Sequence, residues 1–216
     1  MYRQDRRPYR RRVGDLIGLG LALVAFFATA AIANTGLAPL ERVTFEAING
    51  LPDAVYVVIW PFMQYGVFVT IPILTLIALL LRRFRLALAM AVSGVGVYLL
   101  ARVVKEFVKR GRPAALFDGV QERETFAEGS LGYPSGHAAV AAALTVVVTP
   151  HLHGRWKLVP AALLVIVFIG RMYVAAHLAL DLLGGAALGA AAGFAANLAV
   201  GVPSQEEDEP AVSPRT

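Results

Sequence analysis

The chain contains no cysteine. Disulfides, iron–sulfur clusters and thiol catalysis are therefore excluded. Charge is also scarce: 16% of residues are Asp, Glu, Lys or Arg, where soluble domains carry about 25%. No internal repeat is visible. What replaces charge is apolar sequence, 57% of the 216 residues, with a mean hydropathy of +0.63. Its apolar runs are too long for core strands, which implies an integral membrane protein, and one domain is the natural count at this length.

The net charge of +5 does not point to nucleic acid, because the basic residues are not spread over a soluble face. Six of the first twelve residues are arginines, against one aspartate, and "SQEEDEP" near the other end is acidic. A basic cluster directly before an apolar helix fits a cytoplasmic flank held by anionic lipid. The run from Leu16 to Ala33 is long enough to span, so it reads as a retained first helix rather than a cleaved signal.

Hydropathy predicts an all-α, polytopic bundle of six spans. The first covers about Val13–Ala33. A short amphipathic helix around Leu40–Asn49 lies on the surface before the second, which falls within Ala54–Leu81 and is interrupted by Pro61 and Pro72. The third runs about Leu86–Val108, and residues 109–133 form the one long polar loop. The fourth runs from Ser135 to near Pro150, the fifth about Leu158–Ala176, and the sixth from near Leu178 to Val202. Residues 1–12 form a basic flank, 13–202 the membrane domain, and 203–216 an acidic tail expected to be disordered. Lys/Arg bias places the N-terminus, "RRFR" (82–85) and "HLHGRWK" (151–157) in the cytoplasm, and an even span count puts the tail there too. His151 and His153 read as solvated turn residues.

Polar residues then collect at the outer ends of the spans. Lys105 lies in the last turns of the third, and Arg112 follows. Ser135, Gly136 and His137 open the fourth, Arg171 is near the end of the fifth, His177 is at the turn into the sixth, and Asp181 lies four residues on. Taken singly, the lysine and arginines suit headgroup contacts, as do Arg102 and Arg110, and Ser135 suits an ordinary N-cap. Together they suggest a phosphate site. Guanidinium forks match phosphate oxygens, and a glycine at a helix N-terminus offers bare N–H groups to an anion. If 177–181 is helical, Asp181 stands one turn from His177, where it can accept from Nδ1–H and leave Nε2 as a nucleophile. His137 is then available as proton donor.

These residues resemble a known family. "KEFVKRGRP" (105–113), "PSGH" (134–137) and "GRMYVAAHLALD" (170–181) are similar to the K-x6-R-P, P-S-G-H and S-R-x5-H-x3-D motifs of the type 2 phosphatidic acid phosphatase (PAP2) superfamily. Gly170 departs from the serine often found before the third-motif arginine. The family also includes soluble acid phosphatases and vanadium haloperoxidases, and six spans resemble its lipid phosphatase branch.

The resemblance implies that His177 attacks phosphorus, that Asp181 orients it, and that His137 protonates the leaving oxygen and then activates water. It implies that Lys105, Arg112, Ser135, Gly136 and Arg171 hold the phosphoryl oxygens, with no metal and no cofactor. His137 cycles through both protonation states, so a bell-shaped pH profile is expected. The expected substrate is a lipid phosphate reached from the bilayer at the outer face: a polyprenyl diphosphate, a phosphatidic acid or a phosphatidylglycerol phosphate type lipid, or a phosphorylated sugar-lipid. A bacterial carrier-lipid diphosphate suits an outward site. Trp60, Phe62, Tyr65 and Tyr133 are candidate interface aromatics. An anion transporter and a catalytically silent lipid-binding relative are the alternatives. Residues 114–133 are expected to help select the substrate.

Overall fold

The computed structural model describes residues 8–36, 38–127 and 129–204. Most of the basic flank and nearly all of the acidic tail lie outside the described residues. Eight α-helices follow in order: α1 (Val13–Ala33), α2 (Pro39–Asn49), α3 (Val55–Met63), α4 (Thr70–Leu80), α5 (Phe84–Val108), α6 (Gly136–Val148), α7 (Leu158–Tyr173) and α8 (Ala179–Val200). A two-residue antiparallel pair, Tyr9–Arg10 with Val202–Pro203, ties the two ends of the helical region together.

Among the described residues, four helices are long and apolar enough to cross a membrane: α1, α5, α8, and α7 with the 3₁₀ turn before it. Their outward residues, such as Leu21, Val24 and Phe27 on α1 and Leu88 and Val92 on α5, are exposed apolar side chains that suit lipid. The expected second span is present as a pair, Val55–Gly66 and Thr70–Leu80, bent by 66°. Pro72 sits in the first turn of α4, where a missing N–H costs nothing, so the chain re-enters helix directly after the bend. The pair makes a fifth span if it crosses as one unit.

The expected fourth span has its expected bounds, α6 followed by a 3₁₀ turn to His151, but it is short for a crossing. Helix α6 has 13 residues, about 20 Å at 1.5 Å per residue, against a hydrocarbon core of about 30 Å. Its sides are covered by protein instead of lipid: Ala138 to Leu144 are all buried. Small residues make this possible. A methyl at Gly185 or Gly189 of α8 would strike the carbonyl of Ser135 or Ala139, so only glycine lets α8 lie flush on α6. The same closeness occurs at the α3–α4 bend. A Cβ on Gly66 would stand 2.5 Å from the His137 carbonyl oxygen, so the bend packs directly on the first turn of α6.

Helix α2 lies between the first two spans as expected. It buries Glu41, Phe45 and Asn49, and its Arg42 and Glu46 pair on the exposed side. Two expectations need correction. His151 is buried, with Nδ1 3.1 Å from the Val147 carbonyl and its ring beside Tyr9; the terminal strand pair covers the turn that sequence leaves open. His153 is exposed as expected. Arg110 does not reach for headgroups: it is 6% exposed and points into protein, because two carboxylates stand beside it.

Candidate active site

Helix α7 ends where the third motif begins to bend. Ala175 is left-handed, at φ 64°, and the Ala176 and His177 N–H groups both donate back to the Arg171 carbonyl. This helix-ending turn brings Arg171 and His177 to one place. Helix α8 starts two residues after His177, so residues 177 and 178 are not helical. Asp181 is therefore the third residue of the new helix, and its Oδ2 accepts from the Leu178 N–H at 2.9 Å.

The predicted His177–Asp181 pairing is present in outline. His177 Nδ1 stands 3.8 Å from Asp181 Oδ2, within ion-pair range but beyond a hydrogen bond. Both side chains are buried. The distance follows from the helix start: the full helical register that would bring residue 177 over residue 181 is not yet established there. Nδ1 is among the buried polar atoms without a hydrogen-bond partner, as is Nε of Arg171.

The other predicted residues surround this pair. Lys105 Nζ donates to the carbonyls of Leu131 (2.6 Å) and Gly132 (3.2 Å), so the last turns of α5 hold the end of the polar loop. Arg112 donates to Ser130 Oγ at 2.7 Å and to the Ala176 carbonyl at 2.8 Å, next to His177. Ser135 caps α6: its Oγ accepts from Ala138 N–H, and its own N–H donates to the Asp181 carbonyl at 2.8 Å. Gly136 has nothing within 4 Å of where a Cβ would stand, so this helix end is open to a ligand's approach. His137 follows in the same turn, within the fields of Arg171, His177, Arg112 and Lys105.

Burial pushes His177 well below the ordinary value of 6.5, and Lys105, Arg171 and Arg112 add to the shift, while the Gly132 carbonyl opposes it. Both causes favour the neutral imidazole, with three cations around it.

Residues outside the predicted site also reach it or pack beside it. Glu124 of the polar loop accepts from Arg171 at 2.8 Å, and the Phe126 ring lies 4.3 Å from the Arg112 guanidinium and 5.9 Å from that of Arg171. Arg123 locks the same loop to α2 and α7 by donating to the carbonyls of Asn49, Leu51 and Tyr173. Arg110 bridges Asp181 to Glu41 of α2. Tyr133 is fully buried and its hydroxyl meets Phe26 and Thr29 of α1, so it packs inside the bundle and does not line an interface. Arg110 lies within "KEFVKRGRP", where its charge read as a headgroup contact, and the sequence carries no local signal for the others. Among the described residues, no group of three His, Asp or Glu is placed to hold a metal ion.

A bundle of apolar helices thus gathers two histidines, one aspartate and three cations in one place, with Arg171, His177 and Asp181 buried. The chain belongs to the PAP2 superfamily, whose family model matches residues 82–202. It is similar in fold to the first transmembrane PAP2 type phosphatidylglycerolphosphate phosphatase from Bacillus subtilis. The TM-score is 0.66 at 22% identity, over 83% of this chain and 94% of that one. It is also similar to Aquifex aeolicus LpxE, with a TM-score of 0.63 at 21% identity, over 74% of this chain and 95% of that one. No curated protein sequence matches the chain significantly.

Proposed function

We propose that this protein is a metal-independent lipid phosphatase that works through a phosphohistidine intermediate. The observation that carries the reading is buried His177 beside Asp181, its pKa pushed down by burial, ringed by Lys105, Arg112 and Arg171. His177 Nε2 attacks phosphorus; the P–N bond forms as the bond from phosphorus to the leaving oxygen breaks, and His137 gives that oxygen its proton. Water then attacks phosphorus. His137 takes a proton from the water, the P–N bond breaks, and phosphate leaves. Positive charge grows on the imidazole while it carries the phosphoryl group, and Asp181 stabilises it. Lys105, Arg112, Arg171, the Ser135 hydroxyl and the Gly136 N–H meet the phosphoryl oxygens, which carry the charge of the transition state.

The substrate in this reading is a lipid phosphate or diphosphate whose tail stays in the bilayer, of polyprenyl, phosphatidic acid or phosphatidylglycerol phosphate type. Helix α6 serves as a sixth, interior span, which puts both termini on the cytoplasmic side and the site on the outer face. The domain boundaries are 13–202 for the catalytic bundle, with polar flanks on each side. One similar fold is a phosphatidylglycerolphosphate phosphatase, which supports a lipid substrate.

The test is phosphate release from a panel of these lipids by purified protein in detergent, with and without chelator. Release that persists with chelator and disappears in His177→Ala supports the reading. No release from any lipid would favour the silent relative, or a transporter, which needs a bilayer and a gradient to act. Loss of release with chelator would remove the metal-independent mechanism.

A further inference from the structure

Asp181 does not face His177 alone. Its Oδ1 accepts from Arg110 Nη1 at 3.0 Å, and that same nitrogen donates to Glu41 Oε1 at 3.1 Å. Arg110 Nη2 donates to Glu41 Oε2 at 2.6 Å and to the Gly36 carbonyl at 3.3 Å. Glu41 Oε1 also accepts from the N–H of Leu180, in the first turn of α8, at 2.9 Å. All three side chains are buried: Glu41 is 5% exposed, Arg110 6% and Asp181 0%. They come from three separate places, α2, the polar loop and α8. None of the three belongs to an apolar core cluster, and burying ions is costly unless each is paired.

We propose that Glu41 and Arg110 are positioning residues for Asp181, holding its carboxylate toward His177 and setting the charge that His177 meets when it is phosphorylated. The proposal rests on the phosphohistidine reading. Arg110 clamps Oδ1 and so leaves Oδ2 directed at Leu178 and His177. Glu41 fixes Arg110 through a two-oxygen fork. It also leaves the ion set with one cation between two anions, a net charge of minus one. Without Glu41, Arg110 would simply cancel Asp181, and the growing positive charge on His177 would have no counter-charge. The outer surface helix α2, remote in sequence from all three motifs, thereby becomes part of the catalytic frame.

Arg110 shows that the set is mutually dependent. Burial depresses its pKa, but the Glu41 hydrogen bonds and the Asp181 charge outweigh this, and the net shift is upward. The two carboxylates thus offset the cost of burying its charge.

Glu41→Gln is the informative variant, since it removes the charge, keeps the shape and retains an acceptor for Leu180. It should lower kcat about tenfold and leave KM for the lipid within about twofold. The acid limb of kcat/KM should also move to lower pH, because with less negative charge nearby a protonated His177 is disfavoured and its pKa falls. The other charged groups that face this imidazole are Lys105 of α5, Arg112 of the loop, Arg171 of α7, His137 of α6 and Asp181 of α8; all are unchanged in the variant. Glu41→Asp, which keeps the charge, should restore the acid limb and part of kcat. Melting in detergent is measured on all three proteins. Two results would overturn the proposal: wild-type kcat with an unmoved limb in Glu41→Gln, or a loss of activity that tracks melting, leaves the limb in place and is not rescued by Glu41→Asp. A wild-type protein that releases no phosphate overturns the phosphohistidine reading and this proposal together. An active wild type with an indifferent Glu41→Gln overturns this proposal alone.

Discussion

The Glu124 carboxylate lies 2.8 Å from Nη1 of Arg171, in a pair whose arginine is almost wholly buried. Glu124 belongs to the long polar loop, and Arg171 to the end of α7. An incoming phosphoryl oxygen that uses Arg171 meets an acidic side chain already there. Glu124→Gln should therefore lower KM for the lipid and tighten inhibition by inorganic phosphate, each by about threefold to tenfold, a change of about 1 kcal/mol for a partly exposed pair. Steady-state kinetics with added phosphate reads both. Unchanged constants would show that substrate does not compete for this arginine.

His177 and His137 should separate by what accumulates. His177→Ala should reduce phosphate release to background and abolish covalent trapping of phosphate from labelled lipid. His137→Ala slows both proton transfers, by about 10²- to 10⁴-fold, yet leaves the nucleophile intact. Acid-stable label is not expected on a phosphohistidine, so trapping is read after alkaline quenching. A labelled His177→Ala protein would rule out His177 as the nucleophile.

The pH dependence has a definite sign. His177 must be neutral to attack, and burial together with Lys105, Arg171 and Arg112 holds its folded pKa well below 6.5. The acid limb of kcat/KM should therefore lie well below pH 6.5. Arg112→Gln removes one opposing cation, raises the His177 pKa, and should move that limb upward. Stability follows the same linkage. Below 6.5 the unfolded chain protonates this histidine and the folded chain does not, so its contribution is fully present above pH 6.5 and is lost as pH falls toward the folded pKa. Melting temperature measured across this window should fall on the acid side, and less steeply in Arg112→Gln.

Gly66 offers a test of the bend at a distance from the chemistry. A Cβ there would stand 2.5 Å from the His137 carbonyl oxygen and 2.9 Å from its carbonyl carbon, both backbone atoms that cannot swing aside. Gly66→Ala should destabilise the protein by about 1–3 kcal/mol and reduce kcat more than it raises KM, because the shift falls on His137, the proton donor of the proposed mechanism. Melting and steady-state kinetics together check this. A variant with wild-type kcat would mean that α6 moves as a unit and carries His137 with it.

The extent of the sequence reading can be followed through single residues. The long apolar helices were legible because each carries enough apolar residues in a row to cross a bilayer, and that signal is local. The group of Lys105, Arg112, Ser135, Gly136, His137, Arg171, His177 and Asp181 was legible because each lies at an end of a span, so topology alone brings them to one level. The register of His177 over Asp181 was legible only in part: α8 begins at Ala179, so the two stand at 3.8 Å rather than in a hydrogen bond. The bounds of α6 were legible, but its enclosure was not, because hydropathy cannot distinguish a helix that faces lipid from one enclosed by other helices.

By itself, then, the sequence determined an apolar helical chain, the level at which its polar residues gather, and the phosphate chemistry their types permit. Tertiary structure alone decided that Glu41 and Arg110 stand behind Asp181, that Glu124 and Phe126 cover the arginines, and that Gly66 supports His137. Arg110 is 69 residues from Glu41 and 71 from Asp181, and pairs so far apart leave no periodic trace. A charge becomes buried only when a third element closes over it, and that closure is a property of the packed helices.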